Sequence, residues 1–267
     1  MNEPIKTTVL GEIATVIIDR PKVFNAFDLD TISILASDLI NLAANESVKG
    51  VVITGGGKVF CAGGDLKWVR SWPDGPAAAL HNLAARYHQA ILEIRRMKKP
   101  VIAAINGPAA GGGFSLALAC DFRVMERSAI LRQAYTSSGL SIDGAGTFNL
   151  PRLVGLAKAL EIAAFDRPIS SEKALEWGLV TKVVEDGLAL EESTNMAHEL
   201  AQKSLHSFGL SKRLLTDSFN HSLEEHLEYE RDFLSLAGDH RDGREGVSAF
   251  VEKRIPVFNQ MCLIRAD

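Results

Sequence analysis

Two runs of glycine are the residues in this sequence best placed to do chemistry, because glycine turns bring bare backbone N–H groups within reach of a ligand. The triplet Gly111 to Gly113 stands between an apolar run, Val101 to Ile105, and a second apolar segment, Phe114 to Ala119. A strand, a glycine turn and a helix in this order aim the unpaired N–H groups of the first helical turn at a negatively charged atom. The pattern therefore indicates a site that stabilises negative charge. Tight packing of a strand against a helix is the alternative.

A second glycine turn runs from Cys61 to Lys67 and again follows a predicted strand, Val51 to Ile53. Its Asp65 is expected to cap the helix that comes next. The nearby run Gly55 to Lys58 resembles a phosphate loop only superficially, since Val59 stands where such a loop has Ser or Thr. Two turns of the same kind, each after a strand, are thus the candidate functional elements.

The elements that must position these turns alternate between strands and helices. Strands are predicted at Ile5 to Val9, Ile13 to Ile18, Val51 to Ile53, Val101 to Ile105, Asp121 to Met125 and Val180 to Val184, and helices at 28–45, 80–98, 114–119, 151–165 and 170–178. From Leu188 the pattern is helical almost to the end. This order predicts an α/β core domain with helix-linked parallel strands, residues 1–190, followed by a helical region, residues 191–267.

The composition is that of an ordinary soluble globular protein, with 46% hydrophobic and 23% charged residues over 267 positions. A net charge of −4 gives no electrostatic basis for binding nucleic acid or an anionic membrane. The three cysteines, Cys61, Cys120 and Cys262, form neither a metal-binding spacing nor a disulfide framework, which favours a reducing compartment. The chain does not begin with a signal-peptide pattern, and Asn106 and Pro108 interrupt the one long apolar run. A cytoplasmic protein without a membrane span is therefore expected.

A set of short motifs occurs in order along the chain. They are Arg20-Pro21 with Asn25-Ala26, Phe60 to Leu66, Lys99 to Gly107, Ala110 to Gly113, Cys120-Asp121, Glu176 to Val180 and Ser248 to Arg254. Each motif alone is weak, but together and in this order they are highly specific. They resemble the crotonase superfamily, the enoyl-CoA hydratase/isomerase family, over nearly the whole chain.

The resemblance implies a ClpP/crotonase-like α/β fold built from repeated ββα units, a homotrimer or homohexamer, and an acyl-CoA thioester substrate. Coenzyme A is then part of the substrate, and no separate cofactor or metal ion is expected. By position, the backbone N–H groups of Gly64 and Gly112 form an oxyanion hole for the thioester carbonyl. Removing one such donor costs about 3–4 kcal/mol of transition-state stabilisation.

The same resemblance implies which residues bind coenzyme A. The matched positions are Lys22, Ala26, Ala62, Asp65, Leu66 and Lys67, with Phe250 and Lys253 closing over the coenzyme A of a neighbouring subunit. An ordinary exposed helix face is the alternative interpretation of Phe250 and Lys253.

The sequence departs from the hydratases of this family at two glutamates, which activate water and protonate carbon. It has Ser115 and Tyr135 there, and neither side chain is a carboxylate base. The resemblance indicates Asp143 as the catalytic carboxylate instead. It matches the aspartate base of dienoyl-CoA isomerases and of the ring-epoxide isomerase of phenylacetate breakdown, and the aspartate nucleophile of 4-chlorobenzoyl-CoA dehalogenase. A turn aspartate that caps a helix starting near Gly144 is the alternative.

His88 matches the catalytic histidine of the dehalogenase, and Tyr135 matches its active-site tryptophan. With Asp143, His88 could activate water for addition–elimination or thioester hydrolysis. A histidine on a helix face that pairs with a neighbour is the alternative. The aromatic residues that bind the dehalogenase's ring near the turn matched by Cys61 to Lys67 are replaced here by Gly64-Asp65.

Three hypotheses follow from these residues. The first is a double-bond isomerase with Asp143 as acid/base, because one carboxylate can take a proton from one carbon and return it to another. The second is an enoyl-CoA hydratase, or an acyl-CoA hydrolase or dehalogenase that uses His88 and Asp143. The third is a non-catalytic acyl-CoA-binding subunit.

Overall fold

A computed structural model describes residues 3–260 of the chain, and Cys262 lies outside them. The main sheet contains, in spatial order, β1 (Ile5–Leu10), β2 (Ile13–Ile18), β3 (Gly50–Gly55), β4 (Val101–Ile105), β6 (Phe122–Glu126) and β9 (Lys182–Val184). β1 and β2 form an antiparallel hairpin, and the other neighbours pair in parallel. The six predicted strands are confirmed, with ends that differ by at most two residues.

A second, smaller sheet contains β5 (Ala109–Ala110), β7 (Ile130–Arg132) and β8 (Ile169–Ser170). Strands this short carry too few residues for a recognisable alternation, and none of the three was predicted. β5 pairs in parallel with β7, and Ala110 is the last residue before the Gly111 to Gly113 turn. The small sheet therefore fixes the start of that turn.

Helices connect and cover the strands. They are α1 (Leu29–Ala44), α2 (Leu66–Ser71), α3 (Gly75–Arg96), α4 (Gly112–Ala119), α5 (Gly146–Phe165), α6 (Ser171–Glu176), α7 (Ala189–Ala201), α8 (Leu205–Asp217), α9 (Leu223–Asp239) and α10 (Arg241–Glu252). The predicted cap at Asp65 is confirmed, and Asp28 and Ser170 cap α1 and α6 in the same way, since each side chain accepts a backbone N–H of the first turn. Within residues 3–260, no helix combines the length and the apolar character needed to cross a bilayer.

The helix predicted from Pro151 begins earlier, at Gly146. Proline is common at the first position of a helix, which is why the pattern placed the start there. Pro151 instead lies inside α5, and the backbone leaves helical geometry at Gly155 (φ 76°, ψ 161°). The extra turn at the start brings α5 close to Asp143, the candidate carboxylate.

Successive residues of the central strands face opposite sides of the main sheet, so they belong to two apolar clusters. In β3, Val51 and Ile53 pack with the larger cluster, which includes buried residues of α1, α3 and α4. Val52 packs with the smaller cluster, to which α7 contributes Ala197 and Ala201. The sheet is thereby covered on both faces, as expected for a largely parallel sheet. The domain division at residue 190 stays a prediction.

A buried ion pair attaches α8 to the core domain. The Lys212 ammonium lies 2.7 Å from Asp121 Oδ2 and also donates to the carbonyl oxygen of Ile94 (2.7 Å). The same Asp121 oxygen accepts the backbone N–H of Val101, the first residue of β4. The two charged side chains are 6% and 8% exposed. Asp121, which belongs to one of the family-like motifs, therefore has a structural role.

Replacing Lys212 with Met is expected to lower the free energy of unfolding by about 3 kcal/mol or more, because it leaves the Asp121 carboxylate buried without its cation. Urea titration followed by circular dichroism measures this change. The matched control is Lys203→Met, which alters an exposed lysine just before α8 and should change stability by less than about 0.5 kcal/mol. A Lys212→Met protein as stable as the control would contradict the structural role of the pair.

Candidate active site

The two glycine turns lie against each other. The Ala110 N–H donates to the carbonyl oxygen of Cys61 (2.9 Å). A Cβ atom built on Gly63 would lie 2.6 Å from the Gly112 nitrogen, and one on Gly113 would lie 2.7 Å from the Cys61 carbonyl carbon. Cβ atoms do not come this close to backbone, so glycine at 63 and 113 is what allows the turns to touch.

Gly64 and Gly112 carry the two N–H groups assigned to the oxyanion hole. Gly112 is the first residue of α4, a position whose N–H has no acceptor within the helix. In the described part of the chain, neither N–H donates a hydrogen bond to the protein. The N–H of the neighbouring Gly111, by contrast, donates to the carbonyl oxygen of Arg132 (3.1 Å). The two predicted donors are therefore available to a bound acceptor.

Packing does not itself require glycine at positions 64 and 112. A Cβ on Gly64 would meet only Leu83 Cδ2, at 3.4 Å. A Cβ on Gly112 would meet the Gly63 Cα at 3.4 Å and the Phe27 ring at 3.5 Å, which are close to ordinary contacts. The lack of a side chain at these two positions thus keeps space open beside the N–H groups, whereas Gly63 and Gly113 hold the turns together.

Beside these N–H groups lies a cavity of about 160 Å³. It is lined by Phe27, Ala62, Gly64, Leu66, Leu80, Leu83, Tyr87, Gly111, Gly112, Ala134, Tyr135, Ser138, Leu140 and Asp143. The walls are mostly apolar or aromatic, and Asp143 carries the only charge among the described lining residues. The cavity therefore combines two backbone donors with one carboxylate.

Asp143 is held by His88, which projects from α3. The His88 Nε2 lies 2.5 Å from Asp143 Oδ1, and the two side chains are 52% and 34% exposed. The alternative role of Asp143 as a helix cap is not observed, since α5 begins after Ala145 and has no side-chain capping bond. One oxygen of the Asp143 carboxylate, which faces the cavity, is thus fixed by a histidine.

Ser115 and Tyr135 stand at the positions to which the sequence resemblance assigns the two hydratase glutamates. Ser115 is fully buried in α4, and its hydroxyl neighbours that of Tyr135 without forming a hydrogen bond to any described residue. Burial raises the pKa of Tyr135 well above its ordinary range, and the nearby Asp143 carboxylate adds to the rise. Tyr135 therefore keeps its proton at neutral pH, so it can donate a hydrogen bond but cannot act as a base.

The eight residues assigned to coenzyme A fall into four pairs, which lie in different surroundings. Ala62 and Leu66 line the cavity, directly beside Gly64. The side chains of Lys22 and Lys67 are exposed, where two cations can meet the phosphates of a coenzyme A molecule. Their roles stay predictions.

Ala26 and Asp65, also assigned to coenzyme A, are held in place by Arg20. The Arg20 guanidinium donates to the Ala26 carbonyl oxygen (2.5 Å) and lies 2.6 Å from Asp28 and 3.5 Å from Asp65. Asp65 also caps α2. The N–H of the residue after Ala26, Phe27, donates to Gly63 (2.7 Å). The family-like Arg20 motif therefore positions the glycine turn Cys61 to Lys67.

Phe250 and Lys253 lie at the end of α10. They do not line the cavity formed by the described residues of their own chain. Phe250 is 85% exposed, and the Lys253 backbone is left-handed (φ 58°), which ends the helix. Their assignment to the coenzyme A of a neighbouring subunit stays a prediction.

Sequence reasoning missed the wall that α3 contributes. Leu80, Leu83 and Tyr87 line the cavity, and the Tyr87 hydroxyl donates to the carbonyl oxygen of Gly112. The Tyr87 ring centroid lies 5.5 Å from that of Phe27, another wall residue that was not predicted. The helical spacing of Leu80, Leu83 and Tyr87 is visible in the sequence, but any buried helix face has the same spacing.

The two described cysteines are expected to be unreactive in the folded protein. Cys61 and Cys120 are buried free thiols, and burial raises the pKa of each to about 12. Since the thiolate is the reactive form, a Cys262→Ser protein should show no fast reaction with Ellman's reagent at pH 8. Both thiols should react once urea unfolds the chain. Reaction of the native variant at the rate of free cysteine would contradict the burial.

Two backbone donors and a carboxylate around an apolar cavity form an arrangement that can stabilise an oxyanion and move a proton. Residues 9–261 match the model of the family described as enoyl-CoA hydratase/isomerase. The chain therefore belongs to the enoyl-CoA hydratase/isomerase family, has the crotonase fold and is an acyl-CoA enzyme of that family.

Named relatives within the family differ in chemistry. The chain is 36% identical over 259 residues to the 1,2-epoxyphenylacetyl-CoA isomerase of Escherichia coli (strain K12), covering 97% of this chain and 99% of that one. It is 33% identical to 4-chlorobenzoyl coenzyme A dehalogenase-2 of Arthrobacter sp, covering 91% and 88%. The crystal structure of an enoyl-CoA hydratase from Polaromonas sp. JS666 matches with a TM-score of 0.90 at 35% identity, covering 95% and 99%.

Proposed function

We propose that the protein shifts a double bond in an acyl-CoA thioester, with Asp143 as the acid/base and the Gly64 and Gly112 N–H groups as the oxyanion hole. The observation that carries the proposal is the cavity wall, which combines two unpaired N–H donors with one carboxylate among its described residues. One carboxylate is enough for isomerisation, because the same group removes and returns the proton.

The proposed reaction has two proton transfers. The Asp143 carboxylate removes a proton from the α carbon of a β,γ-unsaturated thioester. The electron pair of the broken C–H bond moves onto the thioester oxygen, where the Gly64 and Gly112 N–H groups stabilise the enolate. The protonated Asp143 then delivers its proton to the γ carbon, and the double bond lies between the α and β carbons. Substrate and product are isomers, so the step needs no water and no electron acceptor.

His88 has a supporting role in this scheme. By holding one oxygen of Asp143 at 2.5 Å, it restricts the carboxylate to one orientation. The aromatic walls Phe27 and Tyr87 suit a compact apolar acyl group, derived from a fatty or an aromatic acid. The name of the Escherichia coli relative, an isomerase of an epoxyphenylacetyl thioester, agrees with this class of substrate. Coenzyme A arrives with the substrate, and the scheme uses no metal ion.

The contact between His88 and Asp143 also favours a second candidate function. In a hydrolase or dehalogenase, Asp143 would act beside a water molecule that His88 deprotonates. Ordinary hydration is disfavoured, because Ser115 and Tyr135 replace the two glutamates it uses. A non-catalytic role is disfavoured, because the chain belongs to an enzyme family and retains a carboxylate in its cavity.

Isotope labelling distinguishes these functions. The protein is incubated with a panel of enoyl-, dienoyl- and aryl-CoA thioesters in D2O and, separately, in water labelled with ¹⁸O, and the products are analysed by mass spectrometry. The isomerase proposal predicts no ¹⁸O and predicts deuterium at the α or γ carbon, because the part-exposed Asp143 carboxyl exchanges its proton with D2O between the two transfers. Incorporation of ¹⁸O without deuterium would contradict the isomerase proposal and favour a hydrolase or dehalogenase. Tight binding of the thioesters with neither label would indicate a binding subunit.

A homotrimer or homohexamer in the cytoplasm is part of the same proposal. Exposed apolar side chains of α9 and α10, such as Leu234 (76%), Val247 (66%) and Val251 (73%), support an assembly that covers them. Light scattering after size-exclusion chromatography is expected to give three or six times the chain mass of 28.9 kDa. A monomer at micromolar concentration would contradict this expectation and the assignment of Phe250 and Lys253 to a neighbour's coenzyme A.

A further inference from the structure

Two consecutive residues of α3 contact two separate parts of the candidate active site. The Tyr87 hydroxyl donates to the carbonyl oxygen of Gly112, and the Tyr87 side chain is buried (3% exposed). The next residue, His88, holds Asp143. One turn of α3 therefore contacts both the helix end that carries an oxyanion donor and the side chain that moves the proton.

The ring of Tyr87 also supports the backbone that follows Asp143. A Cβ atom built on Gly144 would lie 2.7 Å from both Cζ and Oη of Tyr87, so the Gly144 backbone rests directly on the ring. Gly144 has a left-handed backbone (φ +62°), which glycine adopts at little cost. The position of Asp143 is thus coupled to the position of this ring.

Phe27 extends the support to the other oxyanion donor. Its ring packs on Tyr87, with centroids 5.5 Å apart. Its backbone N–H donates to Gly63 (2.7 Å), and its carbonyl oxygen accepts from Asp65 (2.8 Å), the two residues that flank Gly64. The aromatic pair therefore contacts the segments that carry both donors and the carboxylate.

We propose that Tyr87 is a positioning residue, whose hydroxyl fixes the first turn of α4 and whose ring fixes the turn after Asp143. The Gly112 N–H and the carboxylate are thereby held at a set separation across the cavity. This inference rests on the proposed function. Reacting groups must be held to within about 0.5 Å of their productive geometry, and a displacement of about 1 Å can cost 10²-fold in rate.

The Tyr87 hydroxyl remains a donor under working conditions. Burial raises the pKa of the Tyr87 phenol well above its ordinary range, and the neighbouring acidic groups, Tyr135 among them, add to the rise. The phenol therefore keeps its proton at neutral pH and can donate it in the hydrogen bond to the Gly112 carbonyl.

The Tyr87→Phe variant separates the hydroxyl from the ring. It keeps the ring beneath Gly144 and removes only the bond to Gly112. The probe is phenylacetyl-CoA labelled with ¹³C at the thioester carbonyl, whose infrared stretch falls when an oxyanion hole polarises it. We expect wild type to lower this frequency on binding and Tyr87→Phe to lose a large part of the shift. Deuterium exchange at the α carbon should fall about tenfold, with binding affinity little changed.

The outcomes distinguish this inference from the proposed function. If wild type does not bind the thioester, or binds it without a carbonyl shift, the proposed function fails. If wild type shows the shift and Tyr87→Phe shows the same shift and exchange rate, Tyr87 is not a positioning residue while the proposed function stands. The control Tyr229→Phe changes a part-exposed tyrosine of α9 and should match wild type in both measurements.

A second variant tests the ring contact and decides the matter if Tyr87→Phe does not fold. Gly144→Ala places a methyl group 2.7 Å from both Cζ and Oη of Tyr87, so the ring and the turn after Asp143 cannot both keep their positions. We expect it to lose α-carbon exchange, because the carboxylate and the oxyanion donor no longer keep their separation. Retention of wild-type exchange in a folded Gly144→Ala protein would overturn the inference.

Discussion

Replacing Asp143 with Asn is expected to lower hydrogen exchange at the acyl carbons by about 10³-fold, within the range that general acid–base catalysis contributes. Asn has nearly the same shape and keeps an oxygen that His88 can bind, so the cavity should survive unchanged. It cannot take up a proton as a carboxylate does, and the described cavity wall offers no second carboxylate to replace it. Exchange is followed by mass spectrometry of a bound enoyl-CoA in D2O.

Calorimetry shows whether this loss is chemical or structural. The Asp143→Asn protein should bind the same thioester with an affinity close to that of wild type. Asp74→Asn, which alters an exposed aspartate just before α3, should leave both binding and exchange unchanged. If Asp143→Asn exchanged at the wild-type rate, Asp143 would not be the acid/base of the reaction. The second candidate function, with His88 as the base, would then be favoured.

Replacing Gly112 with Pro is expected to lower turnover by about 10²–10³-fold, the cost of losing one oxyanion-hole donor. Proline removes the N–H of this residue and adds a ring whose Cδ atom is bonded to the nitrogen in place of the hydrogen. The first position of a helix accepts proline readily, because its N–H has no acceptor within the helix. Gly112 is that position in α4, and the preceding Gly111 has the conformational freedom to accommodate the ring. Steady-state kinetics with the best thioester of the panel measures the effect.

The Gly112→Ala variant separates the donor from the added bulk. It keeps the N–H and adds a methyl group that meets the Gly63 Cα and the Phe27 ring at 3.4–3.5 Å. We expect Gly112→Ala to lose far less activity than Gly112→Pro, while both unfold near the wild-type temperature. Equal losses in the two variants would mean that space, and not the N–H, is what position 112 provides.

The strands, turns and caps that position the backbone N–H donors were predictable because they depend on short-range sequence signals. The apolar run Val101–Ile105, followed by Asn106 and then by a glycine triplet, indicates a buried strand and a turn. The observed strand β4 has the predicted bounds, Val101–Ile105. Asp65 caps α2 as its position before the helix indicated. Short-range signals of this kind need no knowledge of the partner segments.

The walls of the site could not be predicted in the same way. Leu80, Leu83 and Tyr87 lie on an amphipathic helix whose buried face looks the same whether it covers a core or a cavity. The contact between His88 and Asp143 joins residues 55 positions apart in the chain, and only the family resemblance paired them. Which helix face meets which turn is a property of tertiary packing.

The roles of individual glycines also needed coordinates. The family resemblance assigns Gly64 and Gly112 to the oxyanion hole and predicts no separate role for Gly63 and Gly113. The close approach between turns occurs at Gly63 and Gly113, where a Cβ would enter backbone atoms. In each turn, the glycine that the close packing requires is therefore adjacent to the glycine whose N–H is assigned to the oxyanion hole.

The central claim is that two peptide N–H groups from separate turns bind one thioester oxygen while a single aspartate reaches the carbon beside it. A crystal structure with an unreactive acyl-CoA thioester bound measures this directly. The account predicts a carbonyl oxygen about 2.7–3.1 Å from the nitrogens of both Gly64 and Gly112, with an Asp143 oxygen within about 3.5 Å of the α carbon. A thioester oxygen bound elsewhere, or an acyl group beyond the reach of Asp143, would contradict it.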